Sequence, residues 1–276
     1  MITETPLVVT SEELAKRAPI LRARILRMVN AAGAGHPGGS LSVIDMLAVL
    51  LMAWGRFRPH APIKDWLVLG KGHAAPAYYA VLTELGYLDE SELFTYRQLG
   101  TRLQGHPDRR KLPAVQVTTG HLGHGLSIGV GIALGEKMSN SDKKVYVILG
   151  DGDLHEGQTW SAAMAAAHFA LTNLIALVDL NGLSQHGDVK RIMNFEPLAA
   201  KWEAFGWRTV ELDGHDYQQI LSALASVRDS DRPCALLCRT IKGKGVSFME
   251  GDPLWHSRDL PDDLLERALQ ELGVDR

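Results

Sequence analysis

Residues 145–181 read VYVILGDGDLHEGQTWSAAMAAAHFALTNLIALVDLN. An apolar run over 145–149 ends in Gly150-Asp151-Gly152. A stretch rich in small residues follows, and a second apolar run over 174–178 ends in Asp179-Leu180-Asn181. Short apolar runs bounded by turn residues read as buried strands. Strand, helix, strand is a parallel crossover unit, and open parallel sheets bind ligands beyond the carboxyl ends of their strands. Asp151 and Asn181 each follow one of these strands and lie one crossover length apart in the chain. A carboxylate and an amide oxygen thus converge at one sheet edge, beside glycines that let a phosphate approach the backbone. Few protein oxygens plus a phosphate describe a magnesium–diphosphate site. The plainer reading is a turn Asp and a turn Asn, both common after strands. A dinucleotide fingerprint is excluded because Gly150-x-Gly152 lacks its third glycine three residues on, and no GxxxxGK[ST] occurs.

Outward from this core, Thr10 and Glu13 form a capping-box pattern that opens a helix to about Ala32. A glycine-rich loop over 33–39 carries His36, and Ser40 is expected to cap an apolar helix reaching Trp54. Residues 66–69 read as a short strand before the Gly70-Lys71-Gly72-His73 turn. Helices are expected over 74–85 and 90–99, then a loop over 100–120 that carries His106. Helix 123–138 holds Gly123, Gly125, Gly129, Gly131 and Gly135, which predicts close packing or close approach of a ligand. Strands over 207–212 and 235–240 flank a helix over 217–228, and a last helix covers 261–272. The expected fold is α/β, a mostly parallel central sheet with helices on both faces. The chain reads as one domain over 1–276.

Bulk properties narrow the function. A net charge of −3 over 276 residues offers no basic field for nucleic acid. The longest apolar stretch, 41–54, is interrupted by Asp45 and is too short to cross a bilayer. With no basic-then-apolar leader, the expected compartment is the cytoplasm. Cys234 and Cys238 share a strand face too far apart to bridge, which fits a reducing environment.

At these residues the chain resembles the thiamin-diphosphate enzymes, whose cofactor signature is Gly-Asp-Gly, a helix, then Asn. AGHPGGSLS (34–42), LGKGHA (69–74), GHP (105–107), VTTGHLGHGLSIGVG (117–131), DGHD (213–216) and TIKGKGVSFMEGDPLWH (240–256) narrow the resemblance to transketolases. It covers roughly residues 11–257 and only the diphosphate-binding domain. The resemblance therefore implies the amino-terminal subunit of a split transketolase with the thiamin-diphosphate-binding fold. Its pyrimidine-binding and third domains would lie on a separate chain, in a two-plus-two heterotetramer.

The implied activity is transfer of a two-carbon ketol unit from a ketose to an aldose, with thiamin diphosphate and Mg2+. The implied metal ligands are Asp151, Asn181 and the Leu183 carbonyl. His36 and His256 match residues that steer protons at the reacting carbonyl, and His106 matches a contact to a donor hydroxyl. His73 and His256 match cofactor contacts, joined by Gly152, Asn181 and the Gly120-His121-Leu122 segment against the pyrimidine. Glu156 matches a glutamate in a proton relay at the subunit interface. Read locally, it is a first-turn acid favoured by the helix dipole. Four histidines depart from the family pattern: His121, His124, His155 and His186. The His121-x-x-His124 pair is a weak zinc signal without further ligands. Rival readings are another thiamin-diphosphate enzyme, decarboxylating a 2-oxo acid or forming deoxyxylulose phosphate, and a non-catalytic relic of the fold.

Overall fold

The computed structural model describes residues 9–57 and 64–275. Five parallel strands form the central sheet: β1 (Trp66–Leu69), β2 (Val145–Gly150), β3 (Leu174–Leu180), β6 (Arg208–Asp213) and β7 (Cys234–Arg239), in the order β1-β2-β3-β7-β6. A two-residue hairpin, β4 (Leu183–Ser184) and β5 (Gly187–Asp188), stands apart after β3. Successive connections run one way from β1 to β3 and the opposite way from β6 to β7. The order thus reverses between β3 and β7, where open sheets of this kind leave a ligand crevice.

Both faces of the sheet are covered, which is why its inner strands are apolar throughout rather than alternating. Tyr146, Ile148, Ile175, Leu177, Leu236 and Cys238 join one core. Val145, Val147, Leu149, Ala176, Val178 and Leu237 join the other. The first core is closed by α1 (Ser11–Ala32), α2 (Pro37–Ala48), α3 (Ala75–Glu84), α8 (Tyr217–Val227) and α9 (Asp262–Leu272). The second is closed by α4 (His124–Met138), α5 (Gly157–His168) and α7 (Leu198–Ala204), with α6 (Val189–Met193) leading in. Cys234 and Cys238 are buried free thiols on one face of β7.

Several local expectations are corrected. Thr10 does cap α1 with a full capping box, but Ser40 caps nothing. The second helix starts three residues earlier because Pro37 sits at its first turn with its φ already set. The Ser40 hydroxyl instead donates back to the His36 carbonyl at 2.8 Å. Beyond Ala48 the helix continues as a π-helix to Trp54. The whole 18-residue stretch from Pro37 has mean hydropathy 1.5, and 89 % of it is buried inside the protein, so it is a core helix. Residues 90–95 form a 3-10 turn rather than a longer helix.

In α4 only part of the glycine spacing serves packing. A Cβ on Gly125 would stand 2.5 Å from Gly70 Cα, and one on Gly129 2.4 Å from Val147, whereas Gly131 and Gly135 face open space. Finally, β3 runs on through Asp179 and Leu180, so Asp179 is a strand residue, fully buried, and not part of the turn.

Candidate active site

The register of the sheet builds the site. Gly150 pairs with Asp179, so the chain leaving β2 meets the chain leaving β3, and the Asn181 N–H donates to Asp151 Oδ2 at 3.0 Å. Between these ends and the β7 end lies a cavity of about 180 Å³. Its lining includes Lys71, His73, Leu122, Asp151, Asn181 and His256. Gly152 also lines it; a Cβ there would come within 3.0 Å of Leu122.

Four of the sequence-predicted histidines converge here from distant segments. The His36 ring centroid lies 5.2 Å from that of His73, 5.5 Å from His256 and 6.5 Å from His106, and His73 lies 5.3 Å from His256. Burial, then neighbouring positive groups, disfavours the imidazolium. His36 is held down to about 4 and His256 to about 3, and His73 and His106 are lowered too. All four rings are therefore neutral near pH 7, each with one nitrogen able to take a proton and one able to give it. His36 Nδ1 is buried with no partner.

Two carboxylates behind the cavity differ sharply. Asp179 accepts from Lys71, Thr240 and Ser42, the last at 2.6 Å. Asp151 Oδ1 is buried and accepts from nothing. Burial, and then the charge of Asp179, pushes the Asp151 carboxyl up to about 7. Of the other two expected metal donors, Asn181 Oδ1 accepts from the Leu183 N–H at 3.1 Å, and the Leu183 carbonyl accepts from Lys242 Nζ at 2.9 Å. Each of these oxygens keeps a second lone pair. An unsatisfied carboxylate oxygen beside an amide and a carbonyl oxygen fits a hard cation that takes its remaining ligands from phosphate and water. Two glycines and Lys242 beside them fit the phosphate. Among the described residues no group of three or more His, Cys, Asp or Glu is arranged around a metal. The His121 and His124 rings instead stack on each other at 4.6 Å, both exposed.

The other predicted residues are distributed as follows. Gly120 packs under Gly72, where a Cβ would stand 2.9 Å from it, and against the His106 ring. Gly120, His121 and His124 line an adjacent cavity of about 280 Å³ rather than the one holding Asp151. Glu156 is exposed at the start of α5, its stem against Gly123. His186 reaches the cavity mouth on the β4–β5 hairpin, while His155 Nε2 bonds the Met193 carbonyl at 2.8 Å and holds the segment after the hairpin. Sequence reading missed the part played by Asp179, Lys71 and Lys242, each at most 2 % exposed. One signal was available for Asp179: an acid inside an otherwise apolar run.

Residues 15–276 match the family model described as "Transketolase, thiamine diphosphate binding domain". The chain is 40 % identical over 265 residues to one of the two-chain-type relatives, an apulose-4-phosphate transketolase subunit of Actinobacillus succinogenes, covering 95 % of this chain and 96 % of that one. It is 40 % identical over 264 residues to a 6-deoxy-6-sulfo-D-fructose transketolase subunit of a Clostridium species, covering 94 % and 96 %. Among solved structures, transketolase from Campylobacter jejuni superposes with a TM-score of 0.88 at 33 % identity, over 95 % of this chain but 43 % of that one. The chain thus spans nearly the full length of the separate subunits and less than half of the Campylobacter enzyme.

Proposed function

Because this chain belongs to the transketolase family through its thiamine-diphosphate-binding domain, we propose that it is the cofactor-anchoring subunit of a two-chain transketolase. It moves a two-carbon ketol unit from a ketose to an aldose. The observation that carries this reading is the orphaned Asp151 oxygen beside a cavity roofed by four neutral imidazoles. Asp151, Asn181 and the Leu183 carbonyl would hold Mg2+, with His73, Gly152 and Lys242 beside the diphosphate. Thiamin diphosphate, when bound, supplies the nucleophilic carbon and electron sink that break and remake the carbon–carbon bond. The chain's own residues then handle protons. His36 and His256 give and take them at the donor and acceptor oxygens, a task suited to rings that are neutral at the working pH. His106 holds a donor hydroxyl, and Glu156 waits at the surface where a second chain would meet it.

That second chain carries the pyrimidine-binding domain in this reading, and two copies of each form a heterotetramer. The exposed side chains Met138, Met164 and Phe169 on α4 and beside α5 support an apolar contact there, as does the open face at Gly131 and Gly135. The compartment is the cytoplasm, supported by two buried free thiols. The two subunit relatives are named for a phosphorylated and a sulfonated sugar. The test is ketol transfer by this chain, alone and with its partner chain, against a donor panel containing both sugar types. Activity is expected only from the mixture, whose mass by light scattering is that of two plus two. Robust turnover by this chain alone sinks the two-chain reading, and an active one-to-one complex sinks the tetramer.

A further inference from the structure

The Asp213-Gly-His-Asp216 turn contributes nothing to the cavity lining, yet its histidine is tied to it. His215 Nδ1 lies 2.8 Å from Asp45 Oδ2, and its Nε2 lies 2.8 Å from the Ile241 N–H. A backbone N–H only donates, so Nε2 accepts and the ring's proton sits on Nδ1, facing Asp45. Asp45, 2 % exposed, also takes Arg22 Nη2 at 2.6 Å and the Tyr217 hydroxyl. Arg22 Nε in turn donates to the Lys244 carbonyl at 3.1 Å. One buried carboxylate thus governs the backbone on both sides of Lys242.

That segment needs outside support. Gly243, Gly245 and Gly251 all have positive φ, and a glycine-rich loop has little conformational preference of its own. Held in place, Lys242 Nζ reaches His256 Nδ1 at 3.1 Å. An ammonium only donates, so Nδ1 accepts and the neutral ring carries its proton on Nε2.

We infer that His215 is a positioning residue for the ketol transfer proposed above: through the Ile241 N–H it fixes Lys242, and through Lys242 the orientation and tautomer of His256. Two amide variants separate its bonds. His215→Asn puts a donor near the Nδ1 position and keeps the Asp45 bond. His215→Gln carries an acceptor out to the Nε2 position and keeps the Ile241 bond. In the complex with the partner chain, kcat is expected to fall about 10- to 100-fold in His215→Asn, the usual cost of losing a group that orients a working residue, and far less in His215→Gln. Melting temperatures are expected not to follow that order. A kcat for His215→Asn equal to or above that of His215→Gln overturns the inference, as does a loss in both that tracks their melting temperatures. Because the inference rests on the transketolase reading, a second measurement is made on the chain itself. Histidine-selective 15N spectra, with His256 assigned by a His256→Gln variant, are expected to show the Nε2–H tautomer in wild type and His215→Gln and a mixture in His215→Asn. If the wild-type complex transfers no ketol unit, the transketolase reading falls, and the spectra still decide the link: an unchanged His256 tautomer in His215→Asn refutes it.

Discussion

At the carboxyl ends of β2 and β3 two aspartates stand side by side, both buried, with opposite surroundings. Asp179, fully buried, has an ammonium and two hydroxyls on its oxygens. Asp151, 3 % exposed, has one backbone N–H and an oxygen with no partner. Folding completes the first site from α2, β7 and the loop after β1. It leaves the second short of a positive charge, in a cavity that opens to solvent. A buried carboxylate without compensation is costly, so a chain keeps one where something else completes it. The difference separates a structural acid from a ligand-binding one at neighbouring positions, and each experiment below either breaks that distinction or sharpens it.

The largest effect is expected at the incomplete site. Asp151→Ala removes the one anionic oxygen free to hold Mg2+, so thiamin diphosphate loses its bridging cation. Calorimetric titration of the assembled enzyme with cofactor and Mg2+ should give no measurable binding and no turnover. Near-native affinity would put the cation elsewhere and erase the contrast with Asp179. Next come the imidazoles above it. His36→Ala and His106→Ala are expected to lower turnover by about 10²- to 10⁴-fold, the usual weight of a positioned acid–base group, with cofactor affinity nearly unchanged. If either variant loses the cofactor, its assignment to the substrate side is wrong.

The complete site should answer in stability rather than in binding. Asp179→Asn leaves the Lys71 ammonium, 2 % exposed, without its counter-charge. Breaking a buried pair from one side costs about 3–5 kcal/mol. Urea unfolding of the chain alone measures it. A loss below about 1 kcal/mol would mean that Asp179 is no more structural than Asp151.

How this contrast was hidden in the sequence is physical. The parallel sheet was legible because both of its faces are buried, which turns the inner strands into continuous apolar runs. Asp151, Asn181 and four histidines were legible because their flanking motifs keep family order. Asp179 read as a turn residue because strand ends are set by pairing with β7, far along the chain, and not by local pattern. Lys71 and Lys242 gave no sign of burial, since a lysine goes inside only where distant groups pair it. The β4–β5 hairpin was invisible because two-residue strands have no period to detect. Ser40 looked like a cap until Pro37, with its preset φ, turned out to start the helix.

The smallest effect tests the energetic side of the contrast in the free chain. Unfolded, the Asp151 carboxyl titrates near 3.9, its ordinary value. Folded, burial and the Asp179 charge hold it up to about 7. Below about pH 4 both states are protonated, and the residue costs nothing. Between about pH 4 and 7 the unfolded chain loses this proton while the folded chain keeps it, so stability falls as pH rises. Above 7 the penalty levels off, on the order of 4 kcal/mol at most. Asp151→Asn removes the titration and keeps the shape. Unfolding free energies of variant and wild type should therefore coincide near pH 4 and diverge toward pH 7, with the variant the more stable. Subtracting one profile from the other cancels every other titrating group. Saturating thiamin diphosphate and Mg2+ should reverse the order in the assembled enzyme, since a ligand at about 100 times its Kd adds about 2.7 kcal/mol to wild type alone. Parallel profiles from pH 4 to 7 would show that Asp151 is as well satisfied as Asp179, and the distinction between the two strand ends would collapse.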